Sequence, residues 1–309
     1  MRVRISRRMG GGVNALSPAA LGIVLGVLAY ALFGVHDASI KWLVADLPVV
    51  QVVFIRSAAV FAACLALGRR GLMERAVATP MKAPLLFRGF ITFCAWICYF
   101  TAARSLTLAQ LLCLYFAAPL MVTVLAAPLL GERVGAGRWA AVLIGFVGVL
   151  VATDPWGVPF SLATALVLIA AGLWGYGVIL MRQIARRESS LLQIAYINAV
   201  FLVGSGIGCV FLWQRPDASQ LALLLGVALF GGIGQFALFE SARRAPAAVL
   251  ATVEYSSLLW AFVLGYLIWG DIPRPAVFAG GAVILLAGVV LVTVERRLSS
   301  PRRMASLPP

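Results

Sequence analysis

Charged side chains are scarce in this sequence, and acidic ones are the scarcer kind. Asp, Glu, Lys and Arg make up 12% of the 309 residues, with 11 acidic against 25 basic side chains. Soluble domains carry about 25% charged residues, because a surface in contact with water needs them. The shortage excludes an ordinary soluble protein, and it makes each ionisable residue inside an apolar run a candidate functional group.

Residues for metal or catalytic chemistry are also few. The chain has one histidine, and its five cysteines lie in apolar runs without the spacing of metal ligands or of a disulfide framework. The motifs HExxH, GxGxxG and GxSxG and a Walker loop do not occur. We therefore predict that the protein is not an enzyme, binds no metal and uses no cofactor.

Long apolar runs are what the sequence has in abundance. Hydrophobic residues make up 62% of the chain, and the mean hydropathy is +1.01. A spanning helix needs about 20 apolar residues to cross a hydrocarbon core roughly 30 Å thick. The predicted spans cover residues 19–44, 48–68, 84–103, 107–130, 137–153, 160–181, 190–213, 219–241, 246–269 and 275–294. This pattern predicts an all-α polytopic membrane protein with ten transmembrane helices.

The net charge of +14 comes from basic residues at the ends of the apolar runs. With the N-terminus placed inside, 19 Lys and Arg residues fall on that side and four on the other. Such a bias marks the cytoplasmic side, so we predict cytoplasmic termini, with basic tails at 1–18 and 295–309. Because membrane topology accounts for the charge, we predict no nucleic-acid partner.

The two halves of the chain resemble each other. The span at 107–130 is followed by Gly131-Glu132 and the span at 246–269 by Gly270-Asp271, and residues 31–34 align with residues 172–175. We predict two repeats, 19–153 and 160–294, of five spans each. Because five is odd, the second repeat enters the membrane from the opposite side, as in many secondary transporters of inverted topology.

Residues at corresponding places of the two halves point to a known family. They are Phe33-Gly34, Lys41, Arg56, Pro119 and Gly131-Glu132 in the first half, and residues 254–260 (EYSSLLW) and Gly270-Asp271 in the second. Each half resembles an EamA domain of the drug/metabolite transporter superfamily, with one departure, Leu258, where the first half has Pro119. The resemblance implies a ten-helix carrier of the bacterial inner membrane, with a central cavity, rocking alternating access and no hydrolysis of nucleotide.

Three ionisable residues inside spans are candidate substrate-binding residues. Arg56 and Asp37 lie at comparable depth in spans 2 and 1. Either they form a structural ion pair, or Arg56 offers its fixed bidentate fork to a substrate carboxylate. Glu254 lies eight residues inside span 9, where it binds a substrate ammonium group, takes up a coupling proton or hydrogen-bonds to a neighbouring helix.

Other side chains complete a predicted cavity. His36, the one histidine, is a second candidate for proton coupling, the alternative being a packed or interfacial histidine. Asn198 occupies the repeat position of Arg56, and Tyr115 that of Glu254, so the halves offer different chemistry at mirrored sites. The predicted polar and aromatic lining is Tyr99, Tyr115, Trp174, Tyr176, Tyr196, Asn198 and Tyr255.

These features predict a secondary transporter for a small polar metabolite. The buried charges favour a zwitterionic or carboxylated solute, amino-acid-like or metallophore-like, moved across the inner membrane with export slightly preferred. One alternative is an importer of riboflavin or another metabolite. Another, of a different class, is a structural or sensory membrane protein that moves nothing. A proton or counter-solute is a predicted further partner, and an oligomer is not required.

Overall fold

The computed structural model describes residues 18–118, 121, 136–153, 161–244, 253–254 and 256–298. Within these ranges the chain forms ten helices and no strand. The helices are α1 (Pro18–Asp46), α2 (Val49–Ala78), α3 (Lys82–Ala102), α4 (Leu108–Tyr115), α5 (Ala136–Thr153), α6 (Leu162–Ala185), α7 (Ser190–Leu212), α8 (Ala218–Arg244), α9 (Ser256–Trp269) and α10 (Pro275–Leu298). The predicted all-α fold is confirmed.

Six of the described helices are long and apolar enough to cross a membrane. They are Ala20–Asp46, Val49–Ala78, Lys82–Ala102, Leu162–Ala185, Ser190–Leu212 and Ala218–Ser241. Three shorter apolar helices accompany them, Leu143–Ala152, Ser256–Trp269 and Pro275–Val290. The protein is therefore a polytopic membrane protein. Much of the predicted span at 107–130 and the pair Gly131-Glu132 lie outside the described residues, so ten spanning helices stay a prediction.

Local sequence signals set several helix ends. Thr107 forms a capping box with Gln110 at the start of α4, and Ser189 caps α7 by accepting a hydrogen bond from the backbone of Leu192. Helix α2 runs on after the predicted span end at residue 68. Its one non-helical residue is Arg69, at φ +48°, so the helix bends there and a second segment continues to residue 78.

The main helix contacts join the two halves of the chain. Helix α1 packs on α8, α3 on α6, α2 on α7 and α5 on α10. Glycines allow two of these approaches: a Cβ at Gly280 on α10 would lie 2.5 Å from the backbone nitrogen of Ala152 on α5, and one at Gly231 on α8 would meet His36 on α1. Small residues let spanning helices pack closely, so these positions bring the halves together.

Polar contacts tie α2 to the second half at both ends. Near its C-terminal end, Arg75 Nε lies 3.0 Å from Glu188 Oε2 and Nη2 lies 3.2 Å from Oε1, and the Thr79 hydroxyl donates to the same carboxylate. At the other end, Gln51 Nε2 donates to the Gln214 carbonyl at 2.7 Å, and the Gln214 amide donates to Gln51 Oε1 at 2.9 Å. The α2–α7 pair is thus held along its whole length.

Candidate functional site

Arg56 lies about two turns after the start of α2 and is buried inside the bundle. The residue is 1% exposed, and its Nη1 donates a hydrogen bond of 3.0 Å to Asn198 Oδ1 on α7. The guanidinium carbon lies 4.4 Å from the centroid of the Trp96 ring on α3. Asn198 in turn donates to the carbonyl of Ile194 at 2.8 Å. The two residues predicted to occupy mirrored repeat positions therefore contact each other directly.

The alternative of an Asp37–Arg56 ion pair is wrong for this structure. Asp37 pairs instead with its neighbour His36, whose Nδ1 lies 2.9 Å from Asp37 Oδ1, while Arg56 bonds to Asn198. Asp37 still acts on Arg56 electrostatically. A helix with 3.6 residues per turn places adjacent side chains about 100° apart. His36 therefore faces the packed interior at 2% exposure while the Asp37 side chain keeps 20%.

His36 and Arg56 share an unusual neighbour, the backbone of α8 at Gly231. A Cβ there would lie 2.9 Å from His36 Nε2 and 3.2 Å from Arg56 Nε. Both nitrogens are buried and have no hydrogen-bond partner in the described part of the chain. Gly231 and Trp96 were missed by the sequence prediction. Glycines and tryptophans are frequent throughout this chain, so neither residue carries a distinct sequence signal.

Asp37 opens towards a group of aromatic side chains. The hydroxyl of Tyr99 on α3 lies 3.5 Å from Asp37 Oδ2, and the Tyr99 ring meets the Tyr115 ring with centroids 4.8 Å apart. Tyr115 in turn lies 6.4 Å from the Trp174 ring on α6. Tyr115 is the last residue of α4, and Phe116 is a turn residue. The break leaves Tyr115 partly exposed.

Glu254 reaches the same group from the second half. It is within electrostatic reach of Tyr115, as Asp37 is, and of Tyr30 on α1. Tyr30 was missed by the sequence prediction, although it stands seven residues, two helical turns, before Asp37 and so shares its face. We call Asp37, Glu254, Tyr30, Tyr99, Tyr115 and Trp174 the acid–aromatic chamber.

The remaining predicted residues lie elsewhere. Tyr255 is outside the described residues. Tyr196 donates to the carbonyl of Ala76 at 2.7 Å, at the C-terminal end of α2, and Tyr176 contacts Phe87 with ring centroids 6.0 Å apart. These two tyrosines contact helix α2 and helix α3 respectively, and no contact joins them to the chamber.

A second buried arginine, Arg88 on α3, resembles Arg56. It is 3% exposed, and it donates to the Gly177 carbonyl at 3.2 Å and to Gln193 Oε1 at 3.1 Å. Its guanidinium also lies 5.7 Å from the Phe239 ring centroid. Its place near the start of an apolar run is the signal that could have marked it. Both arginines bridge helices of the two halves through neutral partners.

Charged and aromatic side chains meet inside a bundle of long apolar helices. The protein is therefore a multi-pass membrane protein with polar residues in its interior. The model of the EamA-like transporter family matches residues 20–153 and 161–294. The chain therefore belongs to the EamA-like transporter family, in two repeats.

Relatives of this chain are named as transporters. The pseudopaline exporter CntI of Pseudomonas aeruginosa is 26% identical over 281 residues, which cover 89% of this chain and 97% of that protein. A riboflavin transporter of Vibrio cholerae is 26% identical and is matched over 63% of this chain and 65% of its own length. An S-adenosylmethionine uptake transporter of Rickettsia prowazekii is 25% identical over 60% and 64% respectively.

A solved crystal structure shares the fold. It matches with a TM-score of 0.65 over 92% of this chain and 99% of that chain, at 17% sequence identity. At this sequence identity, the likeness shows a shared fold and nothing about function. Together with the relatives' names, the family match identifies a transporter and supports the prediction that the protein is not an enzyme.

Proposed function

We propose that the protein is a secondary transporter that moves a small polar metabolite across the bacterial inner membrane by alternating access. The single observation that carries this is the acid–aromatic chamber. A charge in the hydrocarbon region costs several kcal/mol or more, yet Asp37 and Glu254 come from different repeats and meet around Tyr115. A scaffold protein gains little from such a placement, whereas a carrier needs it to replace the water around a polar solute.

The helix contacts support two inverted repeats. Each helix of the first half corresponds to the helix five places further along the chain. When corresponding helices are exchanged, the α1–α8 pair becomes the α3–α6 pair, and the α2–α7 and α5–α10 pairs become themselves. The hydrogen bond between Arg56 and Asn198 lies in one of these self-exchanging pairs. With an odd number of spans per repeat, the two repeats have opposite orientations, which is the arrangement that rocks around a fixed site.

The proposed orientation has both termini in the cytoplasm. It rests on the 19 Lys and Arg residues predicted on that side against four on the other. Single cysteines introduced into the terminal segments and labelled with a membrane-impermeant maleimide test it in a variant without the five natural cysteines. Labelling in intact cells from the outside would contradict the proposal.

The substrate class that we propose is amino-acid-like or metallophore-like, and export is preferred. The relative that matches along nearly its whole length is named a pseudopaline exporter. The relatives named S-adenosylmethionine uptake transporters match over about 60% of this chain. Import of riboflavin or another metabolite is the second candidate, favoured by the ring cluster at Tyr115, which suits a flat aromatic solute. Counter-flow with solute loaded on one side only distinguishes the two directions.

Flux into or out of proteoliposomes is the test of the proposed function. Glu254→Gln and Arg56→Ala should each reduce flux roughly ten- to a hundredfold, because charged hydrogen bonds contribute about 1.5–3 kcal/mol and 1.4 kcal/mol is tenfold. Glu240→Gln is the matched control, since Glu240 pairs with Arg244 at the end of α8, away from the chamber. If no solute moves faster than in empty vesicles, the non-transporting alternative stands instead.

A further inference from the structure

We propose that the acid–aromatic chamber recognises a cationic group of the substrate, such as an ammonium, and that Arg56 positions the site without contacting the substrate. This inference rests on the proposed transport function and narrows its substrate class. The sequence predicts a zwitterionic or carboxylated solute. The inference keeps solutes that carry a positive charge as candidate substrates and excludes those that carry only a carboxylate.

The charge of the chamber is the first argument. Asp37 lies beside Tyr99, whose ring meets Tyr115, and Glu254 from the other repeat is also within electrostatic reach of Tyr115. Interactions between charges strengthen as water is excluded, so an anion beside Tyr115 would be repelled by both groups. A cation would be attracted by both, and it would relieve their mutual repulsion.

The aromatic rings are the second argument. The rings of Tyr99 and Tyr115 meet at 64°, and those of Tyr115 and Trp174 at 46°. Three rings at such angles turn their faces in different directions rather than forming a flat stack. The negative faces of aromatic rings attract cations, and an aromatic cage is a common way to bind an ammonium group. Tyr115 and Trp174 are partly exposed, as a ligand requires.

The state of Arg56 is the third argument, because it removes the competing anion site. Its Nη1 is bonded to Asn198, its guanidinium is stacked on Trp96, and Gly231 packs beside its Nε. The residue is 1% exposed, against 20% for the Asp37 side chain. Arg56 also lies close enough to Asp37 to act on it. The packed arginine therefore forms part of the protein wall behind the carboxylate.

Thermal stabilisation of the purified protein by matched probes tests the class of ligand. Choline is compared with 3,3-dimethyl-1-butanol, its uncharged analogue of the same shape. Phenylalanine methyl ester, a cation, is compared with N-acetylphenylalanine, an anion. We expect a concentration-dependent rise of Tm with choline and with phenylalanine methyl ester. We expect no rise with 3,3-dimethyl-1-butanol or N-acetylphenylalanine. The proposal would be overturned if the anion stabilised the protein, or if neither cation did.

Variants locate the binding and separate it from a structural role. Glu254→Gln and Asp37→Asn should each weaken cation binding at least tenfold, as should Tyr115→Leu, whereas Tyr115→Phe keeps the ring and should stay within about threefold of wild type. Glu240→Gln should bind as wild type does. Ligand-free Glu254→Gln should melt no lower than wild type, because removing one of two repelling charges relieves strain; a purely structural Glu254 would lower Tm.

The outcomes also separate this inference from the proposed function. If the protein transports an anionic solute and Glu254→Gln transports it equally well, the cation site is wrong and the transporter stands. If no solute moves in wild-type vesicles, the transport function itself is wrong.

Discussion

The bundle contains two polar regions that lie side by side and differ in how their charge is satisfied. Around Arg56, every neighbour is packed closely: Asn198 accepts a hydrogen bond, Trp96 stacks on the guanidinium and the Gly231 backbone lies alongside. We call this the arginine region. The acid–aromatic chamber instead keeps its carboxylates and three of its four rings partly exposed. A buried charge needs partners within the protein, as Arg56 has. A charge that stays partly exposed is available to a ligand.

His36 and Asp37 form the boundary between the two regions. Their hydrogen bond of 2.9 Å joins a histidine that packs edge-on to Trp96 to a carboxylate that faces Tyr99. If α8 moved away from α1 at Gly231, the change would therefore reach Asp37 through the imidazole ring of His36. The difference between the regions predicts that substitutions in the arginine region lower stability, and flux as a consequence, whereas those in the chamber act on binding directly.

The largest effect on stability is expected from Arg56→Ala. The change leaves the buried Asn198 Oδ1 without its donor, at about 1–3 kcal/mol, and removes a desolvated cation–π contact of about 2 kcal/mol. We expect a loss of about 3 kcal/mol in the free energy of unfolding, measured by denaturation in mixed micelles. Arg70→Ala, at an exposed position after the bend of α2, is the control and should be neutral.

Gly231→Ala should come next. The added methyl group would lie 2.6 Å from His36 Cδ2, too close for any contact, so α1 and α8 must separate. Overpacking of this kind costs about 1–3 kcal/mol. Gly226→Ala on the same helix is the matched control, because its Cβ would meet only the Phe230 ring, at 3.7 Å. Equal melting temperatures for the two variants would show that the close approach at residue 231 does not exist.

Asn198→Ala should have a smaller effect than Arg56→Ala. It removes an acceptor but leaves Arg56 stacked on Trp96, so we expect a loss of about 1–2 kcal/mol. The double variant Arg56→Ala/Asn198→Ala should be less destabilised than the sum of the single variants, since the two residues share one interaction. Strict additivity in this cycle would contradict the hydrogen bond between the repeats.

The smallest effect is expected from Tyr99→Phe. The oxygen–oxygen distance to Asp37 is 3.5 Å, which is long for a hydroxyl hydrogen bond, so stability should change by about 0.5 kcal/mol or less. Because the ring remains beside Tyr115, flux should stay within about threefold of wild type. A loss of flux as large as that of Glu254→Gln would mean that the hydroxyl, rather than the ring, contacts the substrate.

Much of the fold followed from the sequence. Apolar runs bounded by proline predicted 190–213 and 160–181, and the structure has Ser190–Leu212 and Leu162–Ala185. The prediction ended span 2 at residue 68, whereas α2 continues to Ala78. That extension carries Arg75, which forms an ion pair with Glu188, 113 positions further along the chain. A distant partner that stabilises a polar helix end leaves no sign in local hydropathy.

The candidate site was predictable in its charges and not in its pairings. Arg56, Asp37 and Glu254 were found because a charge is conspicuous in an apolar run. Their partners Asn198, His36 and Tyr30 were assigned only by packing. Which of several polar groups a side chain bonds to depends on helix rotation by fractions of a turn. His36 and Asp37, adjacent in sequence, are 2% and 20% exposed for that reason.

The sequence by itself therefore determined that this is an apolar, helical membrane protein of two related halves. It also determined which few residues carry charge within them, since hydropathy and spacing are properties of the chain alone. Only the tertiary structure decided that Arg56 is enclosed while Asp37 and Glu254 each stay partly exposed. The physical reason is that exposure and hydrogen bonding depend on contacts between helices, and those join residues far apart in the sequence, such as Arg56 and Asn198, 142 positions apart.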